Sequence, residues 1–413
     1  MPLPSTTEKR GNLCMNTMEN SNWENLDPGT VATPQNNVIS CDRELLSKGV
    51  GTVQRAVSSR STLPILQGVL VETSNKGLHL IGTDLELSIE TYVPITSFGN
   101  FQMVLPAKYL AEIVRRLPER EVVIQYDTVK RIATISSGKA VYEINSMDPG
   151  EYPLFPEVPD TPWWKVTGKK LANFVKTTVF CVAVEETRPF LTGVFMEFGE
   201  NEVKLVATDS FRLALTRISC DDGSAKKRDK GLLVPARTLS EVARIVQGSD
   251  AEVEVYASEN QVAFKWRETT IVSRLIEGQF PSYDRVIPQQ YNTLIVVERE
   301  TFQESVDRVS IMGQDEFGTI RLSGANDMLT VSANAPEVGK ALDQVATVKI
   351  KDGNGEIALK ARYLMDVLKA VEDEQISLKL TGSTSPVIIT HVDDDSRHSG
   401  GFLYLIMPVT LNV

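Results

Sequence analysis

The chain reads LIGTD at residues 80–84, LVATD at 205–209 and TVSAN at 330–334, three versions of one phrase set 125 residues apart. Each is a short β-type run that ends on a small polar side chain suited to a turn: Asp84, Asp209 or Asn334. The same interval of 125 residues separates Gly68, Gly193 and Gly318, each of which opens another β-type run. A third marker starts a helix: LPAKYL (Leu105–Leu110), VPARTL (Val234–Leu239) and LKARYL (Leu359–Leu364), at intervals of 129 and 125 residues. Solenoid units run to roughly 20–50 residues. An interval this long is the size of a whole domain, so the chain is one domain used three times.

The order of elements inside each unit is also repeated. A helix comes first, expected over Arg43–Ser58, Lys169–Phe180 and Thr301–Val309, with apolar positions such as Leu46, Val50, Val53 and Val57 at helical spacing. Strands follow, for example Val69–Glu72 and Leu78–Ile81. A second helix is expected over Ala107–Leu117, Ala236–Val246 and Ala361–Val371, and alternating strands close the unit, as in Val253, Val255, Val262, Phe264 and Trp266 or Ile376, Leu378 and Leu380. Each unit is a strand-rich α+β domain with two helices. Residues 1–37 carry no apolar period and read as a disordered extension. The domains then span 38–156, 163–284 and 292–413, with the Pro-bearing stretches EVPDTP (Glu157–Pro162) and IPQQYN (Ile287–Asn292) as linkers.

Composition narrows the function. A net charge of −11 over 413 residues argues against simple non-specific affinity for DNA or an anionic membrane, as far as a total can. Cys14, Cys41, Cys181 and Cys220 have no CxxC spacing and read as free thiols in a reducing compartment. No run approaches the ~20 apolar residues of a membrane span, and no basic-then-apolar leader opens the chain.

Against that acidic total, the helices repeat a basic pair seven residues apart: Lys48/Arg55, Lys108/Arg115, Lys169/Lys176, Arg237/Arg244 and Arg362/Lys369. The sixth helix carries Arg308 alone. Seven residues is two turns, so each pair shares a face. In the last helix that face lies opposite the stripe Leu364, Val367, Leu368 and Val371. One such pair is ordinary solvated surface. Five in equivalent helices describe a positive surface within an acidic protein, able to meet phosphates without reading sequence.

Signals for chemistry are weak. His79, His391 and His398 lack zinc-ligand spacing, and no phosphate-loop or dinucleotide motif is present. No catalytic residue, metal site or cofactor is therefore assigned. The Asp393–Asp395 run reads as a solvated hairpin loop rather than an ion site. Asp84 and Asp209 would be the carboxylates of a three-domain hydrolase or transferase. Their recurrence once per domain, and the loss of the acid at Asn334, suit structural turns better.

SRSTLPIL (Ser59–Leu66), GTDLEL (Gly82–Leu87), ATDSFRLA (Ala207–Ala214), FPSYDRVIP (Phe280–Pro288) and YLIMPVTL (Tyr404–Leu411), in this order, resemble the bacterial DNA polymerase III β subunit family, the sliding clamps. The resemblance runs from about Val38 to the C-terminus. It implies three clamp domains, each with two helices packed on antiparallel sheets, assembling as a head-to-tail homodimeric ring with helices around the hole. It implies a non-catalytic, cytoplasmic, nucleoid-associated processivity factor that encircles double-stranded DNA. Its implied partners are the replicative polymerase catalytic subunit, a clamp loader and other clamp-binding proteins.

Carried over residue by residue, the resemblance implies a partner-peptide cleft formed by Leu191, Thr208, Ser210, Phe211, Arg212, Leu213, Pro281, Val286, Ile406, Met407, Pro408 and Val409. It adds Arg60 and Arg188 to the ten paired helix cations as DNA-facing residues, Arg188 being a better phosphate contact than Glu185. It implies a subunit interface in which Tyr142, within Lys139–Ile144, meets Ile311 and Met312. Phe211 stands where many members carry His, Thr410 replaces a frequent Arg, and Asn412–Val413 extend past the usual end, which leaves the peptide preference open. A monomeric adaptor that kept the cleft and lost the ring is the remaining alternative, though it has no need of the paired cations.

Overall fold

The computed structural model describes residues 37–58, 61–96, 99–185, 187–220, 223–313, 318–351, 355–392 and 401–409. The extension apart from Asn37, Cys14, Arg60, the Asp393–Asp395 run, His398, Thr410 and Asn412–Val413 lie outside the described residues.

Three copies of one ten-element pattern follow one another. Repeat one is β1 (Val38–Asp42), α1 (Arg43–Val53), β2 (Gly68–Ser74), β3 (Gly77–Thr83), β4 (Leu87–Val93), β5 (Gln102–Pro106), α2 (Ala107–Arg116), β6 (Glu121–Asp127), β7 (Ile132–Ser137) and β8 (Ala140–Asn145). Repeat two is β9 (Trp164–Thr167), α3 (Gly168–Lys176), β10 (Gly193–Phe198), β11 (Glu202–Thr208), β12 (Arg212–Ser219), β13 (Leu232–Pro235), α4 (Ala236–Val246), β14 (Glu252–Ala257), β15 (Gln261–Trp266) and β16 (Thr269–Arg274). Repeat three is β17 (Thr293–Glu298), α5 (Arg299–Ser310), β18 (Thr319–Ala325), β19 (Met328–Ala335), β20 (Gly339–Lys351), β21 (Gly355–Lys360), α6 (Ala361–Ala370), β22 (Gln375–Leu380), β23 (Val387–Thr390) and β24 (Phe402–Ile406).

Every strand pairing is antiparallel, and sheets run across the repeats. β4 of repeat one pairs with β16 of repeat two, Thr91 opposite Thr269 and Leu87 opposite Ser273. The same two positions of the pattern meet one repeat later, where β12 pairs with β24, Thr216 opposite Phe402 and Arg212 opposite Ile406. Each repeat's two helices pack together on one side of these sheets. Their apolar stripes join a single core, as with Leu364, Val367 and Leu368 of α6. Strand alternation supplies the other wall, β6 burying Val122, Ile124 and Tyr126 while Val123, Gln125 and Asp127 between and after them are only half-buried. At Gly49 a Cβ would come 2.6 Å from the Val93 side chain, so α1 lies on β4 at a distance only glycine permits.

The expected helices differ at their ends. α1 stops at Val53 and tightens into a 3₁₀ turn, Gln54–Ala56, instead of running to Ser58. α3 stops at Lys176 because the Thr177 and Thr178 hydroxyls bond back to the Asn173 and Phe174 carbonyls, closing the helix locally. The third copy of the opening phrase also differs. Asp84 Oδ1 accepts from the Glu86 and Leu87 N–H groups, with Leu85 at φ 76°, and Asp209 Oδ1 accepts from Phe211 and Arg212, with Ser210 at φ 77°. Asn334 forms no such turn. It lies within β19, paired with Lys340, and Ala333 pairs with Ala341 where Thr83 pairs with Ser88. Three extra residues lengthen that hairpin and carry its bend past the amide.

One buried cation sits in the sheet of repeat one. His79 is 8% exposed, with Nδ1 2.7 Å from Glu72 Oε1 and Nε2 2.8 Å from Glu90 Oε2. Ionised carboxylates only accept, so both ring nitrogens donate and the ring is an imidazolium. It stacks on Tyr92 at 4.4 Å, and the Lys76 ammonium lies 5.1 Å from the Tyr92 ring centre. Burial works against the charge, but the two carboxylates outweigh it and hold the pKa above the ordinary histidine value. A folded pKa raised above the unfolded one gives stability that is complete below the unfolded value, near 6.5, and lost as pH rises through the folded value. We expect the urea midpoint to fall from this group on the alkaline side of pH 6.5. In His79→Phe that slope should vanish, at a cost of roughly 2–3 kcal/mol for two uncompensated carboxylates. Equal pH slopes in the two proteins would refute the assignment.

Candidate functional site

The β12–β24 junction builds a cleft from both repeats. The Asp209 turn delivers Ser210 and Phe211 to its mouth, and Phe211 remains 56% exposed although the repeat pattern buries its neighbours Arg212 and Leu213. The Phe211 carbonyl accepts from Met407 N–H at 2.9 Å, and Val409 N–H donates to the Ala358 carbonyl at 2.8 Å, which fixes the outgoing chain beside the turn. A cavity of about 560 Å³ lies here, lined by Leu191, Ser210, Phe211, Arg212, Arg362 and Tyr363 among others.

The sequence-derived cleft residues fall into three groups. Leu191, Ser210, Phe211 and Arg212 line the cavity, while Ile406 is buried beneath it, opposite Arg212 in the sheet. Met407 is exposed beside it, and Thr208, Pro408 and Val409 are half-buried. Leu213 points elsewhere, into a small cluster with Tyr283 and Leu405, while Pro281 and Val286 sit exposed in the stretch before the linker, which Tyr283 anchors through Glu197 at 2.7 Å. Tyr363 of α6, which lines the cavity, and Lys360, which ends β21 with its ammonium 5.5 Å from the ring centres of Phe211 and Tyr363, were missed.

Arg212 is the fulcrum of this junction. It is 7% exposed, donates Nε to Asp209 at 3.0 Å, Nη1 to Asp366 of α6 at 2.6 Å and Nη2 to the Phe180 carbonyl at 2.7 Å, and lies 4.5 Å from the Tyr363 ring centre. Burial opposes its charge, but the surrounding acids hold its pKa above the usual value. Asp209 is therefore consumed by its own turn and by Arg212, and Asp84 likewise by its turn and by Arg237. Neither carboxylate is free to act on a substrate. Among the described residues no group of three or more His, Cys, Asp or Glu is arranged to hold a metal, and no helix is long and apolar enough to cross a membrane.

The helices form one layer in the order α2, α1, α4, α3, α6, α5. Neighbours touch within each repeat, and ion pairs join them across the junctions: Arg55 to Glu241 of α4 at 2.8 Å, and Lys176 to Glu372 after α6 at 3.1 Å. All eleven described DNA-facing candidates are exposed. Arg55, Arg115, Lys176, Arg237 and Arg244 pair with Glu241, Glu112, Glu372, Asp84 and Glu241. Lys48, Lys108, Lys169, Arg188, Arg362 and Lys369 have no acid within ion-pair distance among the described residues, Lys48 lying 6.0 Å from the Trp266 ring centre and Arg188 Nη1 3.4 Å from Ser210 Oγ. The Arg115–Glu112 and Lys176–Glu372 pairs are exposed on both sides and contribute about 0–1 kcal/mol each, so a phosphate competes with them readily; Glu241 and Asp84 are largely buried acids that hold Arg55, Arg244 and Arg237 more firmly. Tyr142 is 37% and Ile311 64% exposed, while Met312 is half-buried against the core.

Comparison with known proteins covers nearly all of this architecture. Family models for the DNA polymerase III beta subunit match in chain order: the N-terminal domain at residues 38–156, the central domain at 165–282 and the C-terminal domain at 284–410. The chain is 32% identical over 367 residues to a beta sliding clamp of Staphylococcus epidermidis, covering 86% of this chain and 94% of that protein. It is 32% identical over 379 residues to the beta sliding clamp of Halalkalibacterium halodurans, covering 89% and 98%. Among solved structures, the DNA polymerase sliding clamp of Bacillus subtilis superposes with a TM-score of 0.85 at 30% identity, covering 91% of this chain and 100% of that one.

Proposed function

This chain belongs to the DNA polymerase III beta subunit family, and from that premise we propose that it is a DNA sliding clamp, closed head to tail with a second copy of itself. It does no chemistry; it converts topology into processivity. The observation that carries the closed ring is a pair of unused strand edges. Inside the chain the fourth strand of one repeat binds the last strand of the next, as β4 with β16 and β12 with β24. The remaining members of those two series are β20 and β8. Among the described residues β8 pairs only with β7, and the Gly339–Ala346 part of β20 only with β19. Free edges of this kind seek a partner. With the internal register carried over, Ala140 pairs with Gln344 of the partner subunit, Tyr142 with Leu342 of the partner subunit and Ile144 with Lys340 of the partner subunit. Ile311 occupies the position of Arg55 in the pattern and so meets the start of α2, with Met312 behind it.

The helical layer then surrounds the hole, and its paired cations, with Arg188 and Arg60, meet duplex phosphates loosely and without sequence preference. The cleft at the β12–β24 junction takes an apolar-aromatic segment of the replicative polymerase catalytic subunit, the clamp loader or another clamp-binding protein. Two or three buried anchors at roughly 1.5–3 kcal/mol each, less ordering costs, put such binding on the order of micromolar. The work is done in the cytoplasm, on the nucleoid.

Retention on DNA tests the ring. Loaded by a clamp loader onto a nicked circular plasmid and washed at high salt, the protein should stay on the circle and leave when the plasmid is linearised. Loss from circle and line alike at high salt would mean ordinary electrostatic binding and would end the ring reading.

A further inference from the structure

The backbone that frames the cleft at the second junction is repeated at the first. At the second, Met407 N–H donates to the Phe211 carbonyl at 2.9 Å and Val409 N–H to the Ala358 carbonyl at 2.8 Å. At the first, Arg274 N–H donates to the Glu86 carbonyl at 3.0 Å and Ile276 N–H to the Leu233 carbonyl at 2.9 Å. The donors and acceptors hold the same places in the pattern. Leu87 faces Ser273 in the sheet as Arg212 faces Ile406, and Pro235 closes β13 as Lys360 closes β21. A turn and an outgoing chain therefore meet in the same way at both junctions, and a cavity of about 700 Å³ opens at the first.

The side chains on that frame differ. Glu86 stands where Phe211 does, and Arg274 where Met407 does. The floor is apolar: Leu233 is buried, Phe195 lies opposite it in the sheet, and Phe280 stacks on Phe195 with ring centres 5.1 Å apart and planes at 4°. Leu275 and Ile276 add a half-buried wall. The rim is acidic. Glu86, Glu259 and Glu277 border the cavity, all exposed, against the single cation Arg274. None of these four has an opposite charge within ion-pair distance among the described residues. Acids on neighbouring strands are already spent, Glu197 and Glu202 on Lys204, Glu252 and Glu254 on Lys165. The groove thus joins an aromatic floor to three uncompensated carboxylates.

We propose that the first junction carries a second docking groove, and that it accepts a partner-protein segment bearing an Arg beside an apolar anchor. Charge complementarity selects the occupant: a cation relieves the mutual repulsion of the three carboxylates, whereas an acidic segment or a phosphate backbone adds to it. Arginine fits better than lysine. Its planar guanidinium bonds carboxylates two at a time and lies flat on an aromatic ring, so one side chain uses both the rim and the Phe195–Phe280 floor. The two junctions then share a backbone and differ in what they admit, because Glu86 and Arg274 have replaced an exposed ring and a methionine.

The test uses fluorescein-labelled peptides that share one Leu anchor and differ only in an adjacent Arg, Gln or Glu, titrated by anisotropy against the whole chain. The Arg peptide should bind about tenfold more tightly than the Gln peptide, and the Glu peptide most weakly, with the Arg advantage shrinking in high salt. Glu259→Gln with Glu277→Gln changes two exposed, unpaired side chains and should bring the Arg-to-Gln ratio to near one. Glu259→Lys with Glu277→Lys should reverse the order, the Glu peptide then binding more tightly than the Arg peptide. No binding of the Arg peptide to the native chain, or equal binding of the Arg and Gln peptides, would overturn the proposal. So would an Arg advantage that survives the Gln variant, since the peptide would then sit elsewhere on this acidic chain.

Discussion

Ile311→Asp combined with Leu342→Asp leaves a folded monomer: light scattering should report the mass of one 45.7 kDa chain in place of two. Both side chains are open to solvent in the single chain, 64% and 69% exposed, so the substitutions remove no internal packing and the urea midpoint of the chain should hold. In the ring proposed above, Leu342 would face Tyr142 of the partner subunit and Ile311 would face the start of α2 of the second copy. The wild-type residues would contribute roughly 1.5–3 kcal/mol each by leaving water. A carboxylate in their place must instead be desolvated without a partner, at several kcal/mol. A ring of two copies has this junction twice, so the penalty is doubled for closure. The strand edges alone, whose backbone bonds replace bonds to water, do not offset it. The variant should therefore be washed from circular and linear plasmid alike. An unchanged dimer mass in the double variant would put the junction somewhere else.

The repeat was legible because each of its markers is local. A Thr-Asp turn, a helix start and a glycine at the head of a strand each state their purpose within a few residues, and their spacing states the rest. The junctions were not legible, because the partners lie far apart. Arg237 finds Asp84 at a separation of 153 residues, and Arg212 finds Asp366 at 154. The basic pairs were visible as cations by their two-turn spacing, yet nothing in that spacing says that Arg55 meets Glu241 whereas Lys48 meets the Trp266 ring. Asn334 misled for a related reason: the phrase around it is intact, but three residues beyond it lengthen the hairpin and take the turn away. Lys360 gave no signal at all, since the corresponding residue in the second repeat is Pro235 and the rings beside it, Phe211 and Tyr363, come from two different domains.

Arg212→Ala should be the most damaging single substitution at the second junction, lowering stability by about 3–5 kcal/mol, because it strips the partner from carboxylates that were satisfied together. Asp209 loses its Nε donor, Asp366 its 2.6 Å bond, and the Phe180 carbonyl its 2.7 Å bond, while the Tyr363 ring loses the cation beside it. The five paired positions between β12 and β24 remain, so the repeats stay joined but open more often. Cys181 reports that opening. It is 1% exposed close to Arg212, and burial pushes its thiol pKa far up, so it is inert in the closed state. In the variant its labelling by a thiol reagent should quicken by about a hundredfold or more, if opening is lowered by the same 3–5 kcal/mol. Cys41, buried in repeat one with a thiol pushed up to about 12, should label at its native rate and serve as the control. The pairing is separated from mere volume by Arg212→Leu with Asp366→Leu. That double variant removes the guanidinium and one of its two acids and places at position 212 the residue, Leu87, that the first repeat uses there. If the loss comes from unpaired charge, the double variant should be clearly less destabilised than Arg212→Leu alone. If the two losses simply add, or if Cys181 labels no faster in Arg212→Ala, then shape rather than charge holds this junction, and Arg212 is not its fulcrum.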